Sequence, residues 1–267
     1  MITSHANAQI KNIVQLNTSS KARTEQGVYL IEGVKMFLEA PSEDIVQVFV
    51  SESFYGKTEY RERIEQYAYE VVEDSVFKKA SDTMTPQGIL CILRQKEYGL
   101  TELLSTPKPL LILLEGLQDP GNLGTILRTG EGAGVTGVIM DRNTVDIYNP
   151  KVIRATMGSM YRVPFVRVDK LTDILPQLRE HKITSYAAHL RGDRTYCEES
   201  YEAGCAFLIG NEGNGLSSEL SEQADTWIKI PMQGQVESLN AAVSASILMY
   251  EVMRQRNSIR CKGESEG

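Results

Sequence analysis

Three stretches of this 267-residue chain hold side chains whose types and spacing can do chemistry, and each follows an apolar run. In EGLQDPGNLGTILRTGEGAG (115–134), Asp119-Pro120-Gly121 is turn chemistry, Asn122 is a natural N-cap for the helix behind it, and Arg128 falls in that helix's second turn. In FLIGNEGNGLS (207–217), Gly210, Gly213 and Gly215 bracket Glu212. Glycines there permit positive φ and a close backbone approach to a ligand. A carboxylate near a helix N-terminus can in turn hold polar groups in place. In IPMQGQVESLNAAVSASILMYE (230–251), Ser238 can cap the final helix, although Ala241 rules out a capping box. Ala241, Ala242, Ser244, Ala245 and Ser246 make the helix's first turns small enough for another backbone to come close. Each stretch also has a plainer reading: a helix cap, a tight strand-to-helix connection, and a closely packed helix pair.

Such loops need strands to hold them. From Leu110 onward, strand patterns at 110–114, 137–140, 163–168, 183–188, 206–210 and 227–230 alternate with helical patterns at 122–132, 170–180, 216–223 and 239–256. That alternation predicts an α/β fold with a parallel sheet and ligands at the carboxyl ends of the strands. Before Arg94 a smaller α/β unit is expected. Its helices are at 7–16, from Val34, at 58–68 and at 75–80, and its strands at 28–31, 45–50, 69–72 and 89–93. The pattern lapses between, with a short helical LTELL and with Pro107 and Pro109. The division read from the sequence is therefore 1–95, a linker 96–109, 110–257 and a polar tail 258–267.

Composition narrows the chemistry. There is no G-x-G-x-x-G turn directly after a strand and no G-x-x-x-x-G-K, so dinucleotide and Walker-type phosphate loops are excluded. Four cysteines without a C-x-x-C pair and three scattered histidines argue against a metal site and for a reduced, cytoplasmic setting. The opening MITSHANAQIK has no apolar core, so no secretory signal is expected. The densest apolar run, Leu110–Leu114, is far shorter than the roughly 20 residues of a membrane span. With 28 Lys+Arg against 35 Asp+Glu the formal charge is −7, which argues weakly against a nucleic-acid partner. The local charge is different: residues 1–24 carry three basic residues and no acid, and residues 142–170 carry six basic residues against Asp146 and Asp169. Two basic stretches on an acidic chain mark where a phosphate backbone could lie, or are ordinary fluctuation.

Taken together, the three stretches resemble the signature motifs of the SpoU (TrmH-like) branch of the SPOUT methyltransferases. N-x-G-x-x-x-R is met by Asn122, Gly124 and Arg128, and an apolar strand followed by G-x-E-x-x-G by Gly210, Glu212 and Gly215. I-P-M…S-L-N-x-A is met by Ile230, Pro231, Met232, Ser238, Leu239, Asn240 and Ala242. The linking segment NPKVIRATMGSMYRVPF (149–165) is also similar, with Thr156 where a serine is common, so the resemblance spans about 108–256. NAQIKNIVQL, VYLIEGVKMFLEA and DTMTPQGIL are similar to the small RNA-binding domain that precedes many members.

The resemblance implies S-adenosylmethionine-dependent methyl transfer to an RNA ribose 2′-hydroxyl, without metal, on a domain whose C-terminal segment forms a trefoil knot. By the motif match Gly210, Ile230 and Leu239 contact the cofactor. Arg128 would clamp the target phosphate and lower the cost of a developing alkoxide, since a guanidinium pKa above 12 rules it out as a literal base. Asn122 and Asn240 would orient the ribose and Arg128. Ser238 would bond substrate or hold the third loop, and Glu212 would fix that loop's geometry. The N-terminal domain favours rRNA as the partner, and the family implies a homodimer with the site completed across the interface. The rivals are a tRNA ribose methyltransferase and a non-catalytic rRNA-binding protein on the same fold.

Overall fold

The computed structural model describes residues 1–263, with side chains through Asn257, and resolves the chain into two compact units. One comprises Met1–Lys96 with Asp146–Tyr161, the other Glu97–Val145 with Arg162 onward. The stretch 146–161, read above as part of the second domain, therefore groups with the first. Residues 264–267 of the expected tail lie outside the described residues, while its first residues continue the last helix to Gly263.

In chain order, the first unit runs α1 (Ala8–Thr18), α2 (Ser20–Gln26), β1 (Val28–Glu32), α3 (Val34–Glu39), β2 (Ile45–Ser51), α4 (Glu52–Lys57), α5 (Arg61–Ile64), β3 (Tyr69–Val72), α6 (Asp74–Ala80) and β4 (Ile89–Arg94). Its sheet order is β1-β4-β2-β3, with β4 antiparallel to both neighbours and β2 parallel to β3. Asn7 caps α1 through Gln9 N, and Ile10, Ile13 and Leu16 at helical spacing pack with Val76, Phe77 and Ala80 of α6. The helix expected at 58–68 is confined to the short α5, and α4 precedes it at 52–57, where no helix was expected. Ser51 caps α4, and Thr58 at its end is extended, so the backbone leaves helical space before Arg61. A buried ion pair ties in the returning segment: Arg23, 3 % exposed, donates from Nε and Nη2 to Asp146 Oδ2 at 3.0 and 2.6 Å.

The second unit begins with α7 (Leu100–Leu104), β5 (Leu110–Leu114), α8 (Pro120–Ala133) and β6 (Gly137–Asp141). The excursion into the first unit contributes α9 (Pro150–Thr156). The chain then returns through β7 (Phe165–Val168), α10 (Leu175–Glu180), β8 (Thr184–Ala188), β9 (Arg194–Thr195), β10 (Cys205–Ile209), α11 (Ser218–Ser221), β11 (Thr226–Lys229) and α12 (Ala241–Gly263). All seven strands are parallel, in the order β7-β6-β5-β10-β8-β11-β9. Central β5 and β10 are wholly buried, as unbroken apolar runs in a sheet covered on both faces should be. The stretch expected as a linker is partly built in: Leu103 and Leu104 of α7 join this unit's core, and Gly137 lies so close to Leu103 that a Cβ there would collide. Among the described residues no helix is long and apolar enough to cross a membrane.

Register now does the positioning. Leu114 pairs with Ile209, so β5 and β10 end side by side and release the 115–119 and 210–216 loops next to each other. Leu114 also pairs with Met140, which sets the turn after β6 beside the first of those loops.

Candidate active site

At the carboxyl ends of β8, β10 and β11 lies a cavity of about 440 Å³. Its walls come from the turn after β8 (Ala188–Arg191), the glycine loop 210–216, Ile230 with Glu237–Leu239, and the first residues of α12. The glycine loop folds back on itself, with Asn211 N donating to Gly215 O at 3.1 Å and Gly215 N to Asn211 O at 2.9 Å. A Cβ on Gly210 would collide with the Gly215 carbonyl carbon and the Leu216 nitrogen. The close approach read from the sequence is thus made to the loop's own return leg, and only Gly215 of the three glycines needs positive φ (+69°).

Beside the cavity, one chain of hydrogen bonds joins the three motif loops. The Glu212 carboxylate accepts from Gln118 N (3.1 Å), Asp119 N (3.0 Å) and Asn122 Nδ2 (2.9 Å). Asn122 Oδ1 accepts from Asn240 Nδ2 at 2.9 Å, and Asn240 Oδ1 accepts from Ala242 N and Val243 N at 2.9 and 3.2 Å. The polarity of this chain is forced. An ionised carboxylate only accepts and a helix N-terminus only donates, so each asparagine must turn its amide one way. Burial pushes the Glu212 carboxyl upward, but the Asn122 amide and the Gln118 and Asp119 N–H groups outweigh it and hold the pKa below the ordinary carboxylate value.

Both helix caps read from the sequence shift by a few residues. Asp119 caps α8, accepting from Asn122 N at 2.8 Å, with Pro120 at the first helical position. Asn122 is freed from capping, and its buried amide (9 % exposed) becomes the bridge between Glu212 and Asn240. Asn240, not Ser238, caps α12, since Ser244 N bonds its carbonyl and two helix N–H groups bond its side chain.

The predicted residues thus separate into three groups. Asn122, Glu212 and Asn240 are joined in one hydrogen-bonded chain. Gly210, Ile230 and Leu239 line the cavity, together with Ser238 and Glu212. Arg128 stands apart: it is exposed on α8, does not line the cavity, and has no hydrogen-bond or ion-pair partner among the described residues.

Sequence reasoning missed a second set of staples. Asn211 Nδ2 donates to Gly116 O (2.7 Å), and Glu115 accepts from Ser217 N and Oγ (2.7 and 2.6 Å). It also missed the turn after β8, where the His189 ring lies 4.4 Å from Trp227 and Nδ1 accepts from Arg191 N. The signal for Glu115, Gly116, Asn211 and His189 was position alone, one or two residues past a strand of the sheet. Among the described residues no group of three or more His, Cys, Asp or Glu is placed to hold a metal.

A parallel α/β sheet with strand-end loops tied beside a cavity of small-molecule size is the architecture of a ligand-binding α/β domain, and comparison with known proteins gives its family. The SpoU rRNA methylase family model matches residues 109–250, more than half of the chain, and an MRM3-like substrate binding domain matches 7–91. The chain belongs to the SpoU rRNA methylase family. It is 33 % identical over 253 residues to the 23S rRNA (guanosine(2553)-2′-O)-methyltransferase RlmP of Bacillus subtilis, covering 94 % of this chain and 98 % of that one. An AdoMet-bound rRNA methyltransferase from Sinorhizobium meliloti superposes with a TM-score of 0.86 at 28 % identity, over 95 % of this chain and 97 % of its own. A crystal structure of an RNA 2′-O ribose methyltransferase gives 0.80 at 33 % identity, over 96 % and 98 %.

Proposed function

We propose that this enzyme carries out its reaction, methyl transfer from S-adenosylmethionine to a ribose 2′-hydroxyl of rRNA, at the mouth of the Glu212 cavity. The observation that carries this placement is the Glu212–Asn122–Asn240 chain, which binds the three motif loops into one preorganised frame around a single cavity. The cavity fits the donor: about 440 Å³ lies within the roughly 300–1,000 Å³ of small-molecule sites. Apolar Ile209, Ile230 and Leu239 suit an adenine and a methylene chain, and Arg191, Lys229 and Glu237 offer charges for the amino-acid end. When bound, S-adenosylmethionine supplies an electrophilic methyl on a sulfonium.

The residues of this chain supply the rest. Gly210, Ile230 and Leu239 hold the donor. Glu212 keeps the second loop against the first, and through Asn122 and Asn240 it fixes the start of α12. Ser238, exposed on the cavity wall, is free to bond the substrate. A ribose hydroxyl is a poor nucleophile at neutral pH, so alignment and charge stabilisation carry the acceleration. Arg128 provides the cation, pairing with the phosphate beside the target ribose and stabilising the 2′-oxygen as it takes the methyl and its proton passes to solvent water. Its exposed, unpartnered position away from the cavity supports a site completed by the Arg128 of a second copy, hence a homodimer. The buried small residues Ala241, Ala242 and Ala245 support a C-terminal knot. The domain reading, with residues 1–95 binding RNA ahead of the catalytic domain, is supported by the substrate-binding match. An rRNA substrate supports a cytoplasmic setting.

The experiment is methyl transfer from radiolabelled S-adenosylmethionine to rRNA and bulk tRNA in parallel, followed by alkaline hydrolysis. Alkali cannot cleave beside a methylated 2′-oxygen, so a labelled resistant dinucleotide from rRNA is the expected product. Label confined to tRNA overturns the substrate, label in mononucleotides means base methylation, and no label in either leaves an rRNA-binding protein.

A further inference from the structure

The basic stretch beginning at Arg142 is only partly absorbed by the site above, and the structure sets three of its cations at one edge of the second unit. Arg142 lies in the turn after β6, Arg167 in β7 and Lys170 just beyond it, at or near the carboxyl ends of adjacent parallel strands. All three are exposed.

That turn is locked to the first motif loop. Gly116 N donates to Asp141 Oδ1 (3.0 Å), Val145 N to Leu117 O (2.8 Å) and Gln118 Nε2 to Asn143 O (2.6 Å). Gln118 is also the residue whose backbone N–H bonds Glu212. One residue therefore connects the Glu212 carboxylate to the turn that carries Arg142. Arg167 braces the turn from the other side, donating to Thr144 O at 2.8 Å.

The charges on this edge are unbalanced. Among the described residues Arg142 and Lys170 have no hydrogen-bond or ion-pair partner, and Arg167 has no carboxylate partner. Of the acids nearby, Asp141 is buried and accepts from Gly116, Asn143 and Thr144, which leaves Asp169, and Asp173 three residues past Lys170, as exposed carboxylates against three cations. A guanidinium held on a rigid turn with nothing to pair with suits a planar anion from outside the fold.

We infer that Arg142, with Lys170 and Arg167 behind it, forms a phosphodiester-binding edge that holds the RNA strand flanking the target ribose. This rests on the RNA methyltransferase reading and adds a binding determinant outside its motifs. Phosphate contacts set register and orientation without reading sequence, so this edge positions any strand that reaches the cavity.

The test uses full-length Arg142→Gln, Lys170→Gln and the double variant. Lys182→Gln, exposed at the opposite end of β8, is the control. Arg167 is left alone because it also holds the turn. Affinity for rRNA fragments is measured across a salt series beside steady-state transfer and S-adenosylmethionine binding. Arg142→Gln should raise KM and Kd for RNA about threefold to tenfold near physiological salt. The slope of log Kd against log salt should fall by about 0.7–0.9, and by about twice that in the double variant. S-adenosylmethionine affinity and kcat at saturating RNA should hold, and Arg142→Lys should restore much of the loss. RNA affinity and slope equal to wild type, or an equal change in Lys182→Gln, would overturn the inference while leaving the activity intact. A wild-type enzyme inactive on rRNA would instead count against the underlying function, and the binding arm would still read the edge.

Discussion

Two arginines on helices of this protein have opposite fates. Arg23 of α2 is buried, spends its charge on Asp146, and donates from Nη1 to the Leu16 carbonyl at 2.6 Å. Arg128 of α8 is exposed and spends its charge on nothing within the described chain. A buried guanidinium left unpaired is costly, so the first is a commitment of the fold. A cation that the fold could have paired and did not is kept for a partner from outside. Composition does not separate them, since each is a lone arginine in a mixed helix. Partners do.

The largest expected effect is on the fold-committed arginine. Arg23→Ala strands Asp146 in a half-buried site, and breaking such a pair from one side costs about 3–5 kcal/mol. Denaturant unfolding should show this loss, with the returning 146–161 segment more readily cleaved by protease. S-adenosylmethionine binding by the second unit should stay near wild type while the protein is folded. A variant as stable as wild type would show that the pair contributes little and would erase the contrast with Arg128.

Arg128→Ala should show the reverse pattern. Removing a preorganised charge from a developing oxyanion costs roughly 10²–10³ in rate, about 2.7–4 kcal/mol of barrier. The melting temperature and S-adenosylmethionine affinity should not move, because nothing in the chain leans on this side chain. Loss of cofactor binding together with activity would put Arg128 in the donor site and contradict its position away from the cavity. If the site is completed across a dimer, mixing Arg128→Ala with a chain disabled at Asn240 should recover part of the activity.

The same contrast explains what could be read from the sequence. Unbroken apolar runs such as LLILL and CAFLI announce buried parallel strands, because side chains facing helices on both sides must all be apolar. The three loops were found for the same reason: glycines, caps and a carboxylate sit where such strands end. The caps themselves were not legible. Asp119 and Asn122 are both good capping residues three apart, and Ser238 and Asn240 are two apart. The choice is made by hydrogen bonds to Glu212, 90 residues from Asn122, and between Asn122 and Asn240, 118 apart. The assignment of 146–161 to the first unit hangs on a partner 123 residues away, Arg23, and no local pattern carries that. The separation of α4 from α5, where a helix was expected only from 58 onward, was local but subtle, turning on the extended Thr58.

Between the two arginines stands the Glu212 chain, polar groups spent on the fold for the sake of the site. Glu212→Gln should cost about 1–3 kcal/mol, because Gln118 N bonds one carboxylate oxygen while Asp119 N and Asn122 Nδ2 share the other, so an amide must set its NH₂ against at least one of these donors. With the NH₂ toward Gln118 N that staple to the first loop is lost; with it toward Asn122 Nδ2, Asn122 must flip and lose the bond from Asn240. Calorimetry should find S-adenosylmethionine affinity reduced with only a modest loss of stability. Unchanged affinity would mean that the frame does not shape the cavity.

The smallest expected effect is the pH limb of that same carboxylate. Its folded pKa lies below the ordinary carboxylate value of about 4.3, so its stabilisation is fully present above that value and is lost as pH falls through the folded pKa. The loop frame should therefore be indifferent to pH from neutrality down to about 5, and weaken only below about 4. Asp225 has its pKa lowered too: burial pushes it up, but the Ser185 and Arg179 bonds outweigh this, so it adds to the same limb. The quantity to measure is therefore the difference between wild type and Glu212→Gln in unfolding free energy across pH 3–7. That difference should shrink toward acid, because protonated Glu212 can no longer accept as a carboxylate and comes to resemble the amide. A difference that stays constant with pH would mean that the effect of the substitution is steric, and that the charge of Glu212 does not hold the three loops together.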